Sequence, residues 1–364
     1  MFENRILPQI DALTPYQPGK PVEELQREMG LTHVIKLASN ENPLGCSPKV
    51  KEVLTEALDG LARYPDGNAF YLKQALAAFH GVEPEQILPG NGSNEVLELV
   101  VRTFAGPGDE VIYDQHAFAV YPLSTQAAGA TGVAVPSRDF AHDLDAMAAA
   151  ITPRTKLIFL ANPNNPTGTL FDDEAFERFM EKVPGHVLVV LDEAYYEYAS
   201  AHEGYPDGLD YLGRYSNLLI SRTFSKAYGL AGLRLGYLIA DAEIISYINR
   251  VREPFNVNVL AQAAGIAALE DQDFVAEGVA LNQRNLNHFE RFLAEEGLAF
   301  LPSHGNFVSV RFDDAAAVND FLLRHGVIVR PLNGYGMADW LRISIGTDEE
   351  MNLCMARLKE ALHV

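Results

Sequence analysis

Cysteine is nearly absent from this sequence: there are two in 364 residues, Cys46 and Cys354, far apart along the chain. That argues against both a disulfide framework and a zinc knuckle. Basic residues are scarce as well, with 28 Lys and Arg against 49 Asp and Glu, a net charge of −21. Such a surface repels phosphate backbones and anionic lipid, which argues against nucleic-acid and membrane-surface roles. It also makes any clustered Arg or Lys more informative. No apolar run approaches the length of a membrane span, and Met1-Phe2-Glu3-Asn4-Arg5 opens no signal peptide. The ten histidines form no H-E-x-x-H or similar spacing, so no metal is implied. What is there is a soluble, globular composition, 48% hydrophobic and 21% charged, long enough for a large α/β unit with an appendage. The expectation is a cytoplasmic enzyme.

Short apolar runs alternate with amphipathic stretches from about Gln86 onward. Strands are expected at 86–88, 110–113, 132–135, 156–160, 187–191, 218–220 and 236–239, with helices such as 94–104, 172–182 and 241–251 between them. Strands alternating with helices imply a mostly parallel sheet. The run Val187-Leu188-Val189-Val190-Leu191 lacks polar alternation, as a strand covered on both faces would. After Pro254 the pattern changes to helices at 260–269 and 278–296, alternating segments at 306–312 and 341–345, and a last helix at 348–362. The expected fold is α/β: a large domain, 37–255, with a mostly parallel mixed sheet sandwiched by helices, plus a smaller α+β domain from 1–36 and 256–364.

Ligands of open α/β sheets collect beyond the carboxyl ends of the strands, and four such ends carry unusual residues. After Leu88 comes Pro89-Gly90-Asn91-Gly92-Ser93-Asn94-Glu95, which is either an anion cradle of free amides or an ordinary loop with Ser93 or Asn94 as N-cap. After Leu160 comes Asn162-Pro163-Asn164-Asn165-Pro166-Thr167-Gly168, a rigid turn whose amides suit a planar ligand. After Leu191 comes Asp192-Glu193-Ala194-Tyr195, where a carboxylate at the end of a covered strand needs a cation or is an exposed cap. After Ile220 comes Ser221-Arg222-Thr223-Phe224-Ser225-Lys226, followed by glycines and Arg234. A lysine among hydroxyls and apolar residues is partly desolvated, which frees its amine for Schiff-base chemistry. His116 has no evident partner and reads as a loop histidine.

The ordered set NPNNPTG, DEAY and TFSKAYGLAGLRLGY resembles the aspartate-aminotransferase fold type of pyridoxal-phosphate enzymes, over essentially the whole chain. Within that fold type, LTPYQPGKP, KLASNENPLG, RYPDG and VIVRPLNGYG followed by LRISIG are most similar to the histidinol-phosphate aminotransferases. The resemblance implies that Lys226 holds pyridoxal 5'-phosphate as a Schiff base and later shuttles the proton, and that Asp192 pairs with the pyridine nitrogen. It implies that Tyr195 and Asn165 reach the ring's phenolic oxygen. Phe118, in HAFAVY, stands where the subfamily typically has a stacking Tyr. The cofactor phosphate would lie on Ser93 and Asn94, with Thr223, Ser225 and Arg234 around it, and Tyr64 would come from the other subunit of a homodimer. On the substrate side, Arg342 would read a carboxylate or a phosphomonoester, with Arg330 and Tyr16 as further anion contacts. The alternative for Arg342 is a surface arginine on an edge strand.

The activity so implied is transamination between histidinol phosphate and 2-oxoglutarate, giving imidazole acetol phosphate and glutamate, in L-histidine biosynthesis. An aromatic amino-acid aminotransferase or a decarboxylase of phosphorylated amino acids on the same fold would share the cofactor residues. A non-enzymatic cofactor-binding regulator usually carries a DNA-binding segment, for which this chain has neither spare length nor a basic patch.

Overall fold

The computed structural model describes residues 5–363, so residues 1–4, read above for a leader, lie outside the described residues. In chain order the strands are β1 (Ile35–Lys36), β2 (Ile87–Asn91), β3 (Glu110–Asp114), β4 (Thr131–Val135), β5 (Thr155–Ala161), β6 (Leu188–Asp192), β7 (Leu218–Thr223) and β8 (Leu235–Ile239). Then follow β9 (Phe300–Leu301), β10 (Phe307–Arg311), β11 (Val327–Ile328), β12 (Arg330–Leu332) and β13 (Met337–Ser344).

The seven strands expected between 86 and 239 form one sheet in the order β2-β8-β7-β6-β5-β3-β4. Neighbours from β7 to β4 pair in parallel, whereas β8 is antiparallel to both β7 and β2. The segment from Phe224 to Arg234 joining β7 to β8 is too short to hold the crossover helix a parallel strand requires, so β8 returns the other way. Along β6, Val189 and Leu191 enter the apolar cluster on one face and Val190 the cluster on the other. This is why the run shows no polar alternation: side chains alternate between faces, and both faces are covered.

The core of the large sheet reaches beyond residue 255. Helix Val259–Leu269 buries Ala261, Ala264 and Ala268 in that core, packing on helices Pro48–Ala57 and Phe70–His80. The second sheet, β12-β13-β10-β9, is antiparallel throughout. Its core includes Phe289 and Leu293 of helix Gln272–Glu295, Val308, Ile343, and Leu358 of helix Asp348–Ala361. β1 pairs in parallel with β11, which attaches the N-terminal segment to this smaller unit. Strands β1, β9, β11 and β12 were not expected, because alternation is not legible in two or three residues. Among the described residues no helix is long and apolar enough to cross a membrane.

Candidate active site

Parallel strands bring their carboxyl ends together, and here Ala161 of β5 pairs with Asp192 of β6, which pairs with Ser221 of β7. The residues that follow these ends line one cavity of about 190 Å³, to which the second sheet and the N-terminal segment also contribute lining residues. It is lined by Ser93, Asn94, Phe118, Asn165, Asp192, Tyr195, Thr223, Ser225, Lys226 and Arg234, and by Tyr16, Arg330 and Arg342. Tyr64 alone of the expected residues lies outside it, 82% exposed and stacked on Phe255 at 4.7 Å.

Lys226 is half-buried and donates from Nζ to the carbonyl of Ser39 at 3.1 Å. Burial first, then the positive charge of Arg342, lowers its pKa to about 7, against the opposing pull of Glu41. The amine is therefore substantially neutral near physiological pH. Asp192 is buried, and burial raises its carboxyl to about 6, while the Tyr121 hydroxyl and the Lys226 charge pull it down. Its Oδ2 accepts from Tyr121 Oη at 2.6 Å; its Oδ1, also buried, has no partner.

Asp192 ends β6 and Glu193 follows it, and the two acids belong to separate charge systems. Asp192 lines the cavity, whereas Glu193 joins a buried network in which Arg222 Nε donates to Glu193 Oε2 and Arg222 Nη2 to Asp207 Oδ1, both at 2.8 Å. The Arg222 guanidinium lies 3.6 Å from the centre of the Tyr196 ring.

Helix Ser93–Phe104 begins without a side-chain cap, and the residue before it is Gly92 at φ 81°. Ser93 and Asn94 are therefore not N-caps but the first two helical residues, with their amides directed out of the helix end, as an anion cradle requires. Two glycines permit the close packing around it. A Cβ on Gly92 would stand 2.5 Å from Arg234 Nη2, and one on Gly236 would stand 2.3 Å from Ser93 N. Arg234 Nη1 reaches Ser225 Oγ at 3.4 Å, and Thr223 Oγ1 accepts from the Ser225 amide at 3.1 Å.

In the turn after β5, Asn162 and Asn164 both make bonds within the turn, and Asn164 Nδ2 also donates to the His116 carbonyl at 3.3 Å. Asn162 Oδ1 accepts from the Phe171 amide at 3.0 Å and Asn164 Nδ2 donates to Thr167 Oγ1 at 2.9 Å. Asn165 is the one of the three that lines the cavity, and its Oδ1 accepts from Arg342 Nη1 at 2.5 Å. Arg342 is 6% exposed on an interior strand of the second sheet, which rules out a surface arginine on an edge. Its Nη2 donates to the Ala38 carbonyl at 2.7 Å and its Nε has no partner. Arg330 donates to the Gln17 carbonyl at 2.6 Å and its guanidinium lies 5.3 Å from the centre of the Tyr16 ring.

Four cavity residues with polar side chains, Ser39, Asn40, Tyr121 and Tyr335, escaped the sequence reading. Asn40 donates from Nδ2 to Tyr195 Oη at 2.8 Å and pairs through Oδ1 with Ser344 Oγ at 2.9 Å. It holds the phenol whose ionisation burial pushes up to about 12. Tyr121 follows Phe118 by three residues within HAFAVY, and Tyr335 lies within VIVRPLNGYG, so both stood inside recognised segments without a role. His116 lies in the loop after β3, as expected, but it is not without partners. It is buried, its Nδ1 donates to the Tyr335 carbonyl at 2.7 Å, and its ring stacks on Phe140 at 5.6 Å.

The profile described as Aminotransferase class I and II matches residues 32–358. The chain is 56% identical to histidinol-phosphate aminotransferase 2 of Hydrogenovibrio crunogenus, over 100% of this chain and 97% of that protein. It is 53% identical to a Pseudomonas aeruginosa protein of the same name, over 98% and 97% of the two chains. The crystal structure of histidinol-phosphate aminotransferase from Sinorhizobium meliloti, in complex with pyridoxal-5'-phosphate, superposes with a TM-score of 0.91 at 33% identity, covering 99% of this chain and 98% of that one. With a match of this extent and relatives aligned end to end, the chain belongs to the class I and II aminotransferases.

Proposed function

We propose that the protein transfers an amino group between histidinol phosphate and 2-oxoglutarate, yielding imidazole acetol phosphate and glutamate, as a pyridoxal-phosphate-dependent, cytoplasmic, homodimeric enzyme of histidine biosynthesis. The observation that carries this reading is one cavity holding a lysine amine near neutrality, a buried carboxylate with a free oxygen, and a buried arginine. The names of the relatives support histidinol phosphate as one substrate.

The residues fit the cofactor: the uncapped helix end and Arg234 suit a phosphate, and the unpartnered Asp192 Oδ1 suits a ring N–H. When bound, pyridoxal phosphate supplies an aldehyde that condenses with amines and a ring that accepts electron density from the amino carbon. Lys226 would attach it and then carry the proton to and from the amino carbon, a task matched to an amine titrating near 7. Asp192 would hold the proton on the ring nitrogen. Tyr195 and Asn165 would bind the phenolic oxygen, and Phe118 would cover the ring face. Ser93, Asn94, Thr223, Ser225 and Arg234 would hold the phosphate, joined by Tyr64 of the second subunit.

Arg342 would bind the carboxylate of glutamate or the phosphomonoester of histidinol phosphate, since a guanidinium fork matches both anions. Arg330 and Tyr16 would flank that anion and screen it from water. The test is amino transfer by the purified, cofactor-loaded protein with histidinol phosphate and 2-oxoglutarate, abolished in Lys226→Ala. Preferential turnover of phenylalanine, or release of carbon dioxide from threonine phosphate, would overturn the substrate assignment. A monomer by sedimentation would overturn the shared site.

A further inference from the structure

The geometry points to Tyr121 as a positioning residue for Asp192, a cavity-lining residue: its hydroxyl occupies the carboxylate Oδ2 and leaves Oδ1 as the unpartnered oxygen. This rests on the reading above, in which Asp192 pairs with the ring nitrogen of the bound cofactor.

The pair is rigidly built. Tyr121 is 1% exposed on helix Val120–Ala127, and its ring lies flat on Phe159 of β5 at 4.5 Å and 5°. Phe118 meets it edge-on at 6.0 Å. Gripped on two sides, the phenol cannot swing from the carboxylate, and Asp192 cannot turn without breaking a 2.6 Å charge-assisted hydrogen bond. The titratable groups that face Asp192 come from three elements: Tyr121 from its helix, Tyr195 from the segment after β6, and Lys226 from the loop after β7. Its strand neighbours in register, Ala161 and Ser221, do not titrate.

Burial works against the ionised carboxylate; the Tyr121 hydroxyl is the foremost of the groups that work for it, ahead of the Ser221 hydroxyl, the Ala194 amide and the Lys226 charge. The burial of Tyr121 and the charge of Asp192 both keep the phenolic proton in place, so the hydroxyl remains a donor across the working pH range. Without it Asp192 takes up a proton at higher pH, and a neutral carboxyl no longer holds the charge of a protonated ring nitrogen. The device therefore acts on cofactor retention and on the acid limb of the rate, not on substrate binding.

The experiment compares cofactor-loaded parent and Tyr121→Phe, which keeps both ring contacts and removes one hydroxyl. The acid limb of the single-turnover rate with glutamate is expected to move up by about one pH unit, and the dissociation constant for pyridoxal phosphate to rise about tenfold. KM for glutamate should stay within about twofold of the parent, as expected if Tyr121 acts through Asp192 alone. A ring-fluorinated tyrosine at 121, a stronger donor, should move the acid limb to lower pH. A folded Tyr121→Phe with parental acid limb and parental cofactor affinity would overturn the proposal, as would a change in KM alone. Should Tyr121→Phe fail to fold, the fluorinated variant decides, and a parental limb there counts against it. Asp192→Asn and Lys226→Ala are measured alongside. If both keep parental cofactor binding and turnover, the cofactor reading itself fails. A parental Tyr121→Phe beside a collapsed Asp192→Asn defeats only the role of Tyr121.

Discussion

Arg342 Nη1 donates to Asn165 Oδ1 at 2.5 Å, a contact that ties an interior strand of the smaller sheet to the turn after β5. Both residues line the cavity, so the proposed anion reader and a proposed cofactor contact are joined by a direct hydrogen bond. Lysine could keep the charge of Arg342 but not the planar fork, nor the two bonds to Asn165 and Ala38 at once. Arg342→Lys is expected to lower kcat/KM by about two orders of magnitude, the worth of one or two charge-assisted hydrogen bonds. The loss should appear in both half-reactions, measured with glutamate and with histidinol phosphate. A loss confined to one substrate would mean that the two anions use different sites.

The lowered pKa of Lys226 makes a prediction about the cofactor-free protein. The rate at which the amine captures an aldehyde should rise with pH through about 7 and then level off, rather than climb toward 10.5. Stopped-flow absorbance on adding pyridoxal phosphate measures this. The same shift affects stability: between about 7 and 10.5 the folded state binds fewer protons at this site than the unfolded state. Stability from this group therefore rises with pH across that window. Urea unfolding of cofactor-free parent and Lys226→Met should show the gap between them changing in that sense from pH 7 to about 9.

The network behind the cavity gives a second pH dependence of opposite sign. Arg222 neutralises Glu193 and Asp207, and Glu193 titrates near 7 because burial outweighs the Arg222 charge. Arg222→Ala leaves both acids uncompensated and should cost about 3–5 kcal/mol in denaturant unfolding. The raised Glu193 pKa means that the folded protein holds an extra proton between about 4.5 and 7, so its contribution falls as pH rises through that range. Removing the arginine raises that pKa further. The deficit of Arg222→Ala should then be smaller near pH 5.5 than near pH 8.

Gly236 allows β8 to approach the first turn of helix Ser93–Phe104. A methyl group there would stand 2.3 Å from Ser93 N and 2.7 Å from the Gly92 carbonyl carbon, both backbone atoms that must shift together. Gly236→Ala is expected to weaken cofactor affinity by at least about tenfold, with a stability loss of about 1–3 kcal/mol. Equilibrium dialysis of the cofactor and thermal melting of the cofactor-free protein measure the two effects separately.

The large sheet was legible in the sequence because central strands such as β6 are apolar on both faces, which leaves uninterrupted runs such as 187–191. The cavity was legible for a related reason: chemistry at the carboxyl ends of parallel strands sits just after each run, as Asn165, Asp192 and Lys226 do. Residues that reach the cavity from elsewhere carried no such mark. Asn40 acts through two side-chain bonds to residues 195 and 344, and nothing local in S-N-E-N-P encodes either partner. Tyr121 stood unassigned at the end of HAFAVY, and only the tertiary structure, which stacks its ring on Phe159 of β5, brings its hydroxyl to Asp192 of β6.

By itself the sequence determined the strand and helix periodicities, the order of the chemical motifs and the scarcity of cations that made Arg342 conspicuous, because these are local or compositional properties. Tertiary structure decided which oxygen of Asp192 is left free, that Asn162 and Asn164 serve the turn while Asn165 meets Arg342, and that β8 runs against its neighbours. Those outcomes depend on burial and on partners remote in the chain, and both come into being only when the strand ends and the second sheet close around one volume.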